Sequence, residues 1–144
     1  MADKEYISYN TIVEDTRELA EKLIPYGFNK IIAVTRGGMI PACLIAQFLN
    51  IKEISSIALA SYDDENKSGE IKLLVCPDIE IDEKTLFVDD LFDTGNTYRY
   101  IKQKYPQAKI AVVYTKDQNA QLDFSAKQKQ AEIWLVFPWE FEPV

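Results

Sequence analysis

The sequence predicts an α/β fold built on a central, mostly parallel sheet flanked by helices. Short and continuously apolar runs alternate along the chain with segments of helical periodicity. Strands that are buried on both faces have this pattern, whereas half-exposed antiparallel strands alternate apolar and polar residues. The chain is 144 residues long, which suits one domain and leaves no room for a second full core. We therefore expect a single domain over residues 1–144, with a soft boundary near residue 116.

The first half of the chain alternates helices with strands. A capping box from Thr11 to Glu14 and a stop at Pro25 indicate a helix over residues 10–24. The apolar run KIIAVT predicts a buried strand over 30–35, and Pro41 suits the first turn of a helix that runs to about residue 50. Strand-like patterns follow over 53–61 and 71–76, on either side of a polar loop.

The second half continues this alternation. The run TLFVD predicts a strand over 85–89 that ends in carboxylates. A helix over 95–105 is closed by Pro106, and a buried strand follows over 110–114. Residues 117–131 are polar and poorly patterned, and a last short apolar run covers 133–136. Because ligands bind beyond the carboxyl ends of parallel strands, we expect the loops that follow 35, 89 and 115 to cluster at one edge of the sheet.

The composition excludes several kinds of site. The sequence contains no histidine, so Ser-His-Asp and Cys-His nucleophile pairs are impossible, as are zinc sites with imidazole ligands. Two cysteines cannot form an all-thiolate zinc site. Proton transfer must therefore fall to Asp, Glu, Lys, Tyr, Cys or water. The net charge of −7 argues against nucleic acid as a partner.

The negative charge is concentrated in residues 61–90, which hold ten acids and three lysines and carry the whole net charge of −7. This segment is either a well-solvated face or a source of carboxylates that need a cation. Cys43 and Cys76 are expected to be buried, reduced thiols, which indicates a cytoplasmic protein. No stretch approaches 18 apolar residues, so we expect no transmembrane segment.

The most informative segment is LFVDDLFDTGNT, at residues 86–97. It delivers two adjacent carboxylates, then a third, and then a Thr-Gly-Asn-Thr turn that opens a helix. Backbone N–H groups at such a helix start suit a phosphate dianion, while paired carboxylates suit sugar hydroxyls or a divalent cation held through oxygen. The alternative is an Asp-rich turn that only caps a helix. Three carboxylates in five positions before the turn favour a ribose 5-phosphate site with Mg2+ nearby.

The motif VDDLFDTGNT resembles the ribose-phosphate signature of type I phosphoribosyltransferases. Further matches occur in the family's order: AVTRGGMIPACLIAQFLNI, the start of a loop at Ser61, Lys116 after a strand, and Trp134 followed by Pro138-Trp139. Together they are similar to the bacterial xanthine-guanine phosphoribosyltransferases from about Tyr6 to the last residue. The resemblance implies the type I phosphoribosyltransferase fold, with a core over about 6–116 and a small base-binding hood over about 117–144.

The resemblance implies roles for the residues of the carboxylate motif. Asp89 and Asp90 would hold the ribose hydroxyls of phosphoribosyl pyrophosphate, with Asp90 nearest the Mg2+. Asp93 would face N7 of a purine and handle its proton. The 5′-phosphate would lie on the turn formed by Thr94, Gly95, Asn96 and Thr97.

The resemblance also implies roles outside that motif. Arg36 and Gly37 would bind pyrophosphate, next to a non-trans peptide bond. Lys116 would donate to the 6-oxo oxygen of the base, and the backbone of Leu135 would read its 2-position edge. Trp134 would stack on the base, although core packing of this side chain is an equal alternative.

The sequence departs from the family's pattern at two places. Relatives place an arginine in the flexible loop, here about residues 61–72, but this chain offers Lys67 or Lys72 to meet pyrophosphate. Val136 and Phe137 stand where some relatives have polar residues, which leaves the choice among guanine, xanthine and hypoxanthine open. Glu140 would either contact a second Mg2+ through water or lie exposed.

The activity implied is purine salvage. A Mg2+-dependent enzyme would transfer the phosphoribosyl group of phosphoribosyl pyrophosphate to a 6-oxopurine, and the resemblance further implies a homo-oligomer, either a dimer or a tetramer. Two alternatives stay open. The chain could be a non-catalytic, ligand-sensing regulator on the same fold, or a phosphoribosyltransferase for another base. Lys116 favours a 6-oxopurine, because an ammonium group can only donate hydrogen bonds.

Overall fold

The computed structural model describes residues 3–62 and 69–144 of the chain. It confirms the α/β class and the predicted order of the helices and the longer strands. In chain order the elements are β1 (Lys4–Tyr6), α1 (Tyr9–Leu23), a short 3-10 turn (Ile24–Tyr26), β2 (Lys30–Thr35), α2 (Met39–Leu49), β3 (Glu53–Ser61), β4 (Ile71–Val75), β5 (Thr85–Phe92), α3 (Asn96–Lys104), β6 (Lys109–Thr115), β7 (Phe124–Gln128) and β8 (Trp134–Val136).

Six strands form the main sheet in the order β4-β3-β2-β5-β6-β7. Among the described strand pairs, β2–β3, β2–β5, β5–β6 and β6–β7 are parallel, and the pair at one end of the sheet, β3–β4, is antiparallel. The predicted mostly parallel sheet is therefore confirmed. Since parallel strands present their carboxyl ends at one edge, the segments after β2, β5 and β6 begin at the same edge of this sheet.

Both faces of the main sheet are covered. On one face α1 and α2 pack against inward side chains of the central strands, such as Ile31, Val88 and Val113. On the other face Ile101 of α3 packs with Ile32 and Phe87. Successive residues of β2 and β5 thus enter two different apolar cores, which explains why these strands are apolar without alternation.

Helix α1 follows its predicted pattern except at its start. The five residues expected to face inward are all buried: Ile12, Thr16, Leu19, Ala20 and Leu23. The predicted capping box at Thr11 is wrong, because the N-cap is Ser8. The Ser8 hydroxyl accepts a hydrogen bond from the backbone N–H of Thr11 at 3.1 Å. The helix therefore begins at Tyr9, one residue earlier than expected.

Three strand predictions need correction. β5 continues to Phe92, beyond the predicted end at Asp89, so Asp90 lies on the strand rather than after it. The polar stretch 117–131 contains β7, which pairs in parallel with β6 at the edge of the main sheet. β8 does not join the main sheet but pairs in parallel with β1, which the sequence did not predict. Each strand of that pair has three residues, which is too short for a periodic pattern.

The expectation of buried thiols is also wrong. Cys43 lies on the exposed side of α2, and Cys76 is exposed just after β4. In the part of the chain that the structure describes, no helix has the length and apolar character needed to span a bilayer.

Candidate active site

The segments that follow β2, β5 and β6 meet β8 and the last residues of the chain around one open cleft of about 720 Å³. The clustering predicted from the strand ends is therefore confirmed. Seven of the predicted site residues line this cleft: Arg36, Gly37, Asp90, Asp93, Lys116, Trp134 and Leu135. Glu140 also lines it, together with apolar side chains from α2 and the last residues of the chain.

The acidic pair Asp89-Asp90 lies near the end of β5. One carboxyl oxygen of Asp89 accepts a hydrogen bond from the backbone N–H of Asp90 at 2.8 Å. Burial of the Asp89 carboxyl raises its pKa well above the usual range, and the neighbouring Asp90 raises this pKa further. Burial also raises the pKa of Asp90, and the charge of Glu140 adds to the effect. These carboxylates are therefore costly to hold ionised without a cation or hydrogen-bond donors.

Gly37 packs directly against Asp90. A Cβ atom on Gly37 would lie 2.6 Å from Asp90 Cγ and 2.8 Å from Oδ1, well inside contact distance. Only glycine lets the loop after β2 approach the carboxylate this closely. The peptide bond between Thr35 and Arg36 is cis, as the resemblance implies for this loop. The Arg36 side chain is exposed at the mouth of the cleft.

Residues 93–97 form a tight turn between β5 and α3. Gly95 adopts a left-handed conformation with φ of 85°, and no side chain caps the helix that starts at Asn96. The backbone N–H of Asn96 donates to the Thr94 hydroxyl oxygen at 3.4 Å, which is a long hydrogen bond, and a helix N-terminus of this kind favours an anion. The turn encloses a small cavity of about 100 Å³, lined among others by Thr94, Asn96 and Thr97.

Asp93 lies where the cavities meet. It lines the small cavity of the turn and also the large cleft. Its side chain is exposed, so it is open to a ligand that spans both. The backbone N–H of Lys116 donates to the carbonyl oxygen of Phe92 at 3.0 Å, which holds the segment after β6 beside Asp93.

Lys116 and Trp134 lie together at the far side of the cleft. The Lys116 Nζ is 5.7 Å from the centre of a Trp134 ring, within the range of a cation–π contact. Trp134 is 55% exposed while Leu135 is only 4% exposed. Of the two alternatives for Trp134, core packing is therefore wrong for most of the side chain, which leaves its aromatic surface open to a ligand.

Sequence reasoning missed the aromatic floor of the cleft. Phe137 and Trp139 stack with ring centres 5.0 Å apart and planes 7° apart, and both line the cleft. A carboxyl oxygen of Glu140 accepts from the Phe137 N–H at 2.9 Å, so Glu140 fixes the turn that carries these rings. The dense run of aromatic residues in FPWEF was the available signal.

Of the two lysines predicted as alternatives for contacting pyrophosphate, only Lys72 lies within the described residues. Lys67 and the centre of the predicted flexible loop lie outside them. Lys72 lies on β4, where its Nζ is 5.9 Å from the centre of the Tyr62 ring, and it does not line the large cleft. Nor do the residues described include a cluster of three or more His, Cys, Asp or Glu side chains that could hold a metal ion.

Comparison with known proteins gives a consistent set of relatives. Residues 5–144 match the family described as "Phosphoribosyl transferase domain". A xanthine-guanine phosphoribosyltransferase of Desulfotalea psychrophila is 40% identical over 138 residues, covering 94% of this chain and 86% of the relative. One of Idiomarina loihiensis is 36% identical over 141 residues, with the same coverage of 94% and 86%. The crystal structure of a purine phosphoribosyltransferase from Pyrococcus horikoshii matches with a TM-score of 0.82 at 30% identity, covering 99% of this chain and 97% of that chain.

Proposed function

The chain belongs to the phosphoribosyl transferase domain family and has its type I fold, and from this premise we propose that it is an enzyme of purine salvage. It transfers the 5-phosphoribosyl group of phosphoribosyl pyrophosphate to a 6-oxopurine, which is guanine, xanthine or hypoxanthine. The products are the nucleoside 5′-monophosphate and pyrophosphate.

One observation carries this proposal. A single cleft joins a basic loop at Arg36-Gly37, the acidic residues Asp90 and Asp93, and an aromatic wall with Lys116 at its edge. These groups suit, in that order, an anionic leaving group, a ribose, and a flat base with an acceptor oxygen. The small cavity of the 93–97 turn adjoins the cleft at Asp93 and suits the 5′-phosphate.

The acidic pair supports sugar binding and a divalent cation. We assign Asp89 and Asp90 to the ribose hydroxyls, which donate hydrogen bonds that carboxylates accept. Mg2+ is bound in proteins through one or two carboxylates together with substrate phosphates, so it needs no cluster of three protein ligands. Asp90 fits this role, since its carboxyl faces the cleft with a raised pKa and no basic partner among the residues described. When bound, the ion neutralises charge on the pyrophosphate.

The base-binding half is assigned to the groups beside Asp93. Trp134 stacks on the purine, Lys116 donates to its 6-oxo oxygen, and the backbone of Leu135 meets its 2-position edge. Phe137 and Trp139 add aromatic surface to this pocket, since their stacked rings line the same cleft. Asp93 faces N7 and accepts the proton that the base releases when N9 becomes a nucleophile.

The reaction breaks one bond and forms one at C1′. The C1′–O bond to pyrophosphate breaks with its electron pair on the leaving oxygen, through a transition state with positive charge on the ribose. N9 of the purine forms the new bond from the opposite face, and the proton of the base passes to Asp93. Arg36 and the backbone at Gly37 bind the departing pyrophosphate. The family resemblance implies a homo-oligomer, a dimer or tetramer. The assignment to the cytoplasm rests on the two cysteines, which are both free thiols.

An ultraviolet assay with phosphoribosyl pyrophosphate and Mg2+ tests the function. Guanine, xanthine, hypoxanthine, adenine and uracil are offered in parallel. Product from one or more of the first three bases is expected, with none from adenine, because Lys116 cannot accept a hydrogen bond from the adenine amino group. Product from adenine or uracil alone would overturn the base assignment. The absence of product from every base would overturn catalysis and favour the regulator alternative.

A further inference from the structure

Arg99 is a residue to which the assigned roles give no part. It is one of three arginines in the sequence and lies in the first turns of α3. Its side chain folds back over the start of its own helix. One guanidinium nitrogen donates to the carbonyl oxygen of Thr94 at 3.2 Å and to Asn96 Oδ1 at 2.7 Å. Arg99 therefore joins two residues of the 93–97 turn.

This contact fixes which way the Asn96 amide faces. A guanidinium group can only donate hydrogen bonds, so the atom that contacts Arg99 must be the amide oxygen. The Nδ2 group is then left as the free end of the amide, with two N–H donors. Within residues 3–62 and 69–144 this group makes no hydrogen bond. Asn96 itself lines the small cavity of the turn.

The described side chains that line the cavity of the 93–97 turn carry negative rather than positive charge, so a bound phosphate would depend on the few donors near the turn. Among the residues that the structure describes, the side chains that line the small cavity include the acids Asp89 and Asp93 but no lysine or arginine. Among the residues described, Arg99 is the one basic side chain that makes hydrogen bonds to the turn. A phosphate dianion on this turn would otherwise meet backbone N–H groups and two hydroxyls, beside acidic neighbours.

We propose that Arg99 is a positioning residue for the 5′-phosphate. It holds the turn at Thr94 and turns the Asn96 amide so that Nδ2 donates to the phosphate oxygens. The sequence could have shown only a lone arginine three residues after an asparagine, a spacing at which side chains of a helix meet. This inference rests on the proposed function, since it deepens the assignment of the turn to the 5′-phosphate.

Steady-state kinetics on Arg99→Ala test the inference. We expect KM for phosphoribosyl pyrophosphate to rise about tenfold, as for the loss of one hydrogen bond to a charged group. KM for the purine and kcat should stay within about twofold, since the base pocket is untouched. Arg99→Lys, which keeps a donor, should fall between wild type and Arg99→Ala. An unchanged KM for phosphoribosyl pyrophosphate, or a loss confined to kcat, would overturn the proposal.

A double-mutant cycle separates positioning from a simple charge effect. If Arg99 acts through Asn96, then Arg99→Ala adds little when it is made in an Asn96→Ala background. If the increases in KM caused by Arg99→Ala and Asn96→Ala were fully additive, Arg99 would not act through Asn96. Lys104→Ala is the matched control, because it removes one positive charge from the last turn of the same helix, away from the phosphate turn. It should leave KM for phosphoribosyl pyrophosphate unchanged, and a rise equal to that of Arg99→Ala would overturn the local role.

Binding measurements keep this inference distinct from the function itself. Calorimetry with ribose 5-phosphate needs no catalysis, so it applies even if the wild-type chain makes no nucleotide. Weaker binding to Arg99→Ala than to the wild type, with unchanged far-ultraviolet circular dichroism, supports the positioning role. Equal binding to both overturns it, whatever the transferase assay gives.

Discussion

Gly37→Ala is a sharp test of the site, because the structure fixes what the added methyl group meets. Gly37 is not among the glycines with positive φ, so alanine brings no backbone strain there. The new Cβ would lie 2.6 Å from Asp90 Cγ and 2.8 Å from Oδ1, whereas ordinary contact begins at 3.4 Å. The Asp90 carboxyl or the loop must therefore move by roughly 1 Å.

A movement of this size has a predictable cost for catalysis. Misplacing a reacting or positioning group by about 1 Å costs about 100-fold in rate. We therefore expect kcat/KM for phosphoribosyl pyrophosphate to fall about 100-fold, with binding of the free base unchanged. The ultraviolet assay measures the first quantity, and quenching of tryptophan fluorescence by the base measures the second.

Two controls make the result interpretable. Gly27→Ala places a methyl group far from the cleft and should retain activity, although its positive φ lowers stability. Adding Gly37→Ala to Asp90→Ala should cost little further activity if the methyl group acts through the Asp90 carboxyl. A folded Gly37→Ala variant with kcat/KM within threefold of wild type would refute the role given to this contact.

Three further predictions follow from the acidic groups of the site. Asp93→Asn should lower turnover by orders of magnitude with an unchanged melting temperature, and near-normal turnover in the purified variant would exclude Asp93 as the proton acceptor. Asp89→Asn should raise the Tm of the ligand-free protein at pH 7, because burial and Asp90 raise the pKa of Asp89 in the folded state. The wild-type protein then loses stability as pH rises from the usual carboxyl range through this raised pKa. The difference in Tm between Asp89→Asn and the wild type should therefore vanish in acid. Calorimetry measures this difference, and a change of about 1 kcal/mol in the free energy of unfolding corresponds to about 2–4 °C in Tm. Removal of Mg2+ by a chelator should abolish calorimetric binding of phosphoribosyl pyrophosphate and added Mg2+ should restore it, whereas full binding in chelator would contradict the assignment of Asp90.

The sequence predicted those parts of the fold that depend on local patterns. The buried face of α1 repeats every three or four residues, and the central strands are apolar runs flanked by turns, so both could be read without long-range information. The site was predictable for the same reason. Gly37, Asp90 and Lys116 each stand within two residues of the end of a strand, and parallel pairing alone brings such positions to one edge.

The parts that were missed depend on contacts between distant segments. β1 and β8 have three residues each and are stabilised by pairing across most of the chain length, which no local period reveals. β7 is an edge strand with polar positions, and it is held by β6 and by Phe124 in the core between the sheet and α1. The contact between Phe137 and Trp139 is close in sequence, but its role in the cleft follows only from where β8 places it.

Three acids of the segment 61–90 lie at opposite edges of the sheet and have different surroundings. Asp82 lies before β5 at the amino edge of the sheet, where Lys30 pairs with it at 2.8 Å and lowers its pKa. Asp89 and Asp90 lie at the carboxyl edge, and in the described part of the chain no lysine or arginine pairs with them. The charge of Asp82 is thus balanced by Lys30, whereas the charges of Asp89 and Asp90 are not balanced by a basic side chain of the described residues. Under the proposed function, the anionic phosphoribosyl pyrophosphate meets these carboxylates together with a cation, because a cation offsets the repulsion between the two sets of negative charge; this is the physical reason for proposing Mg2+ at Asp90.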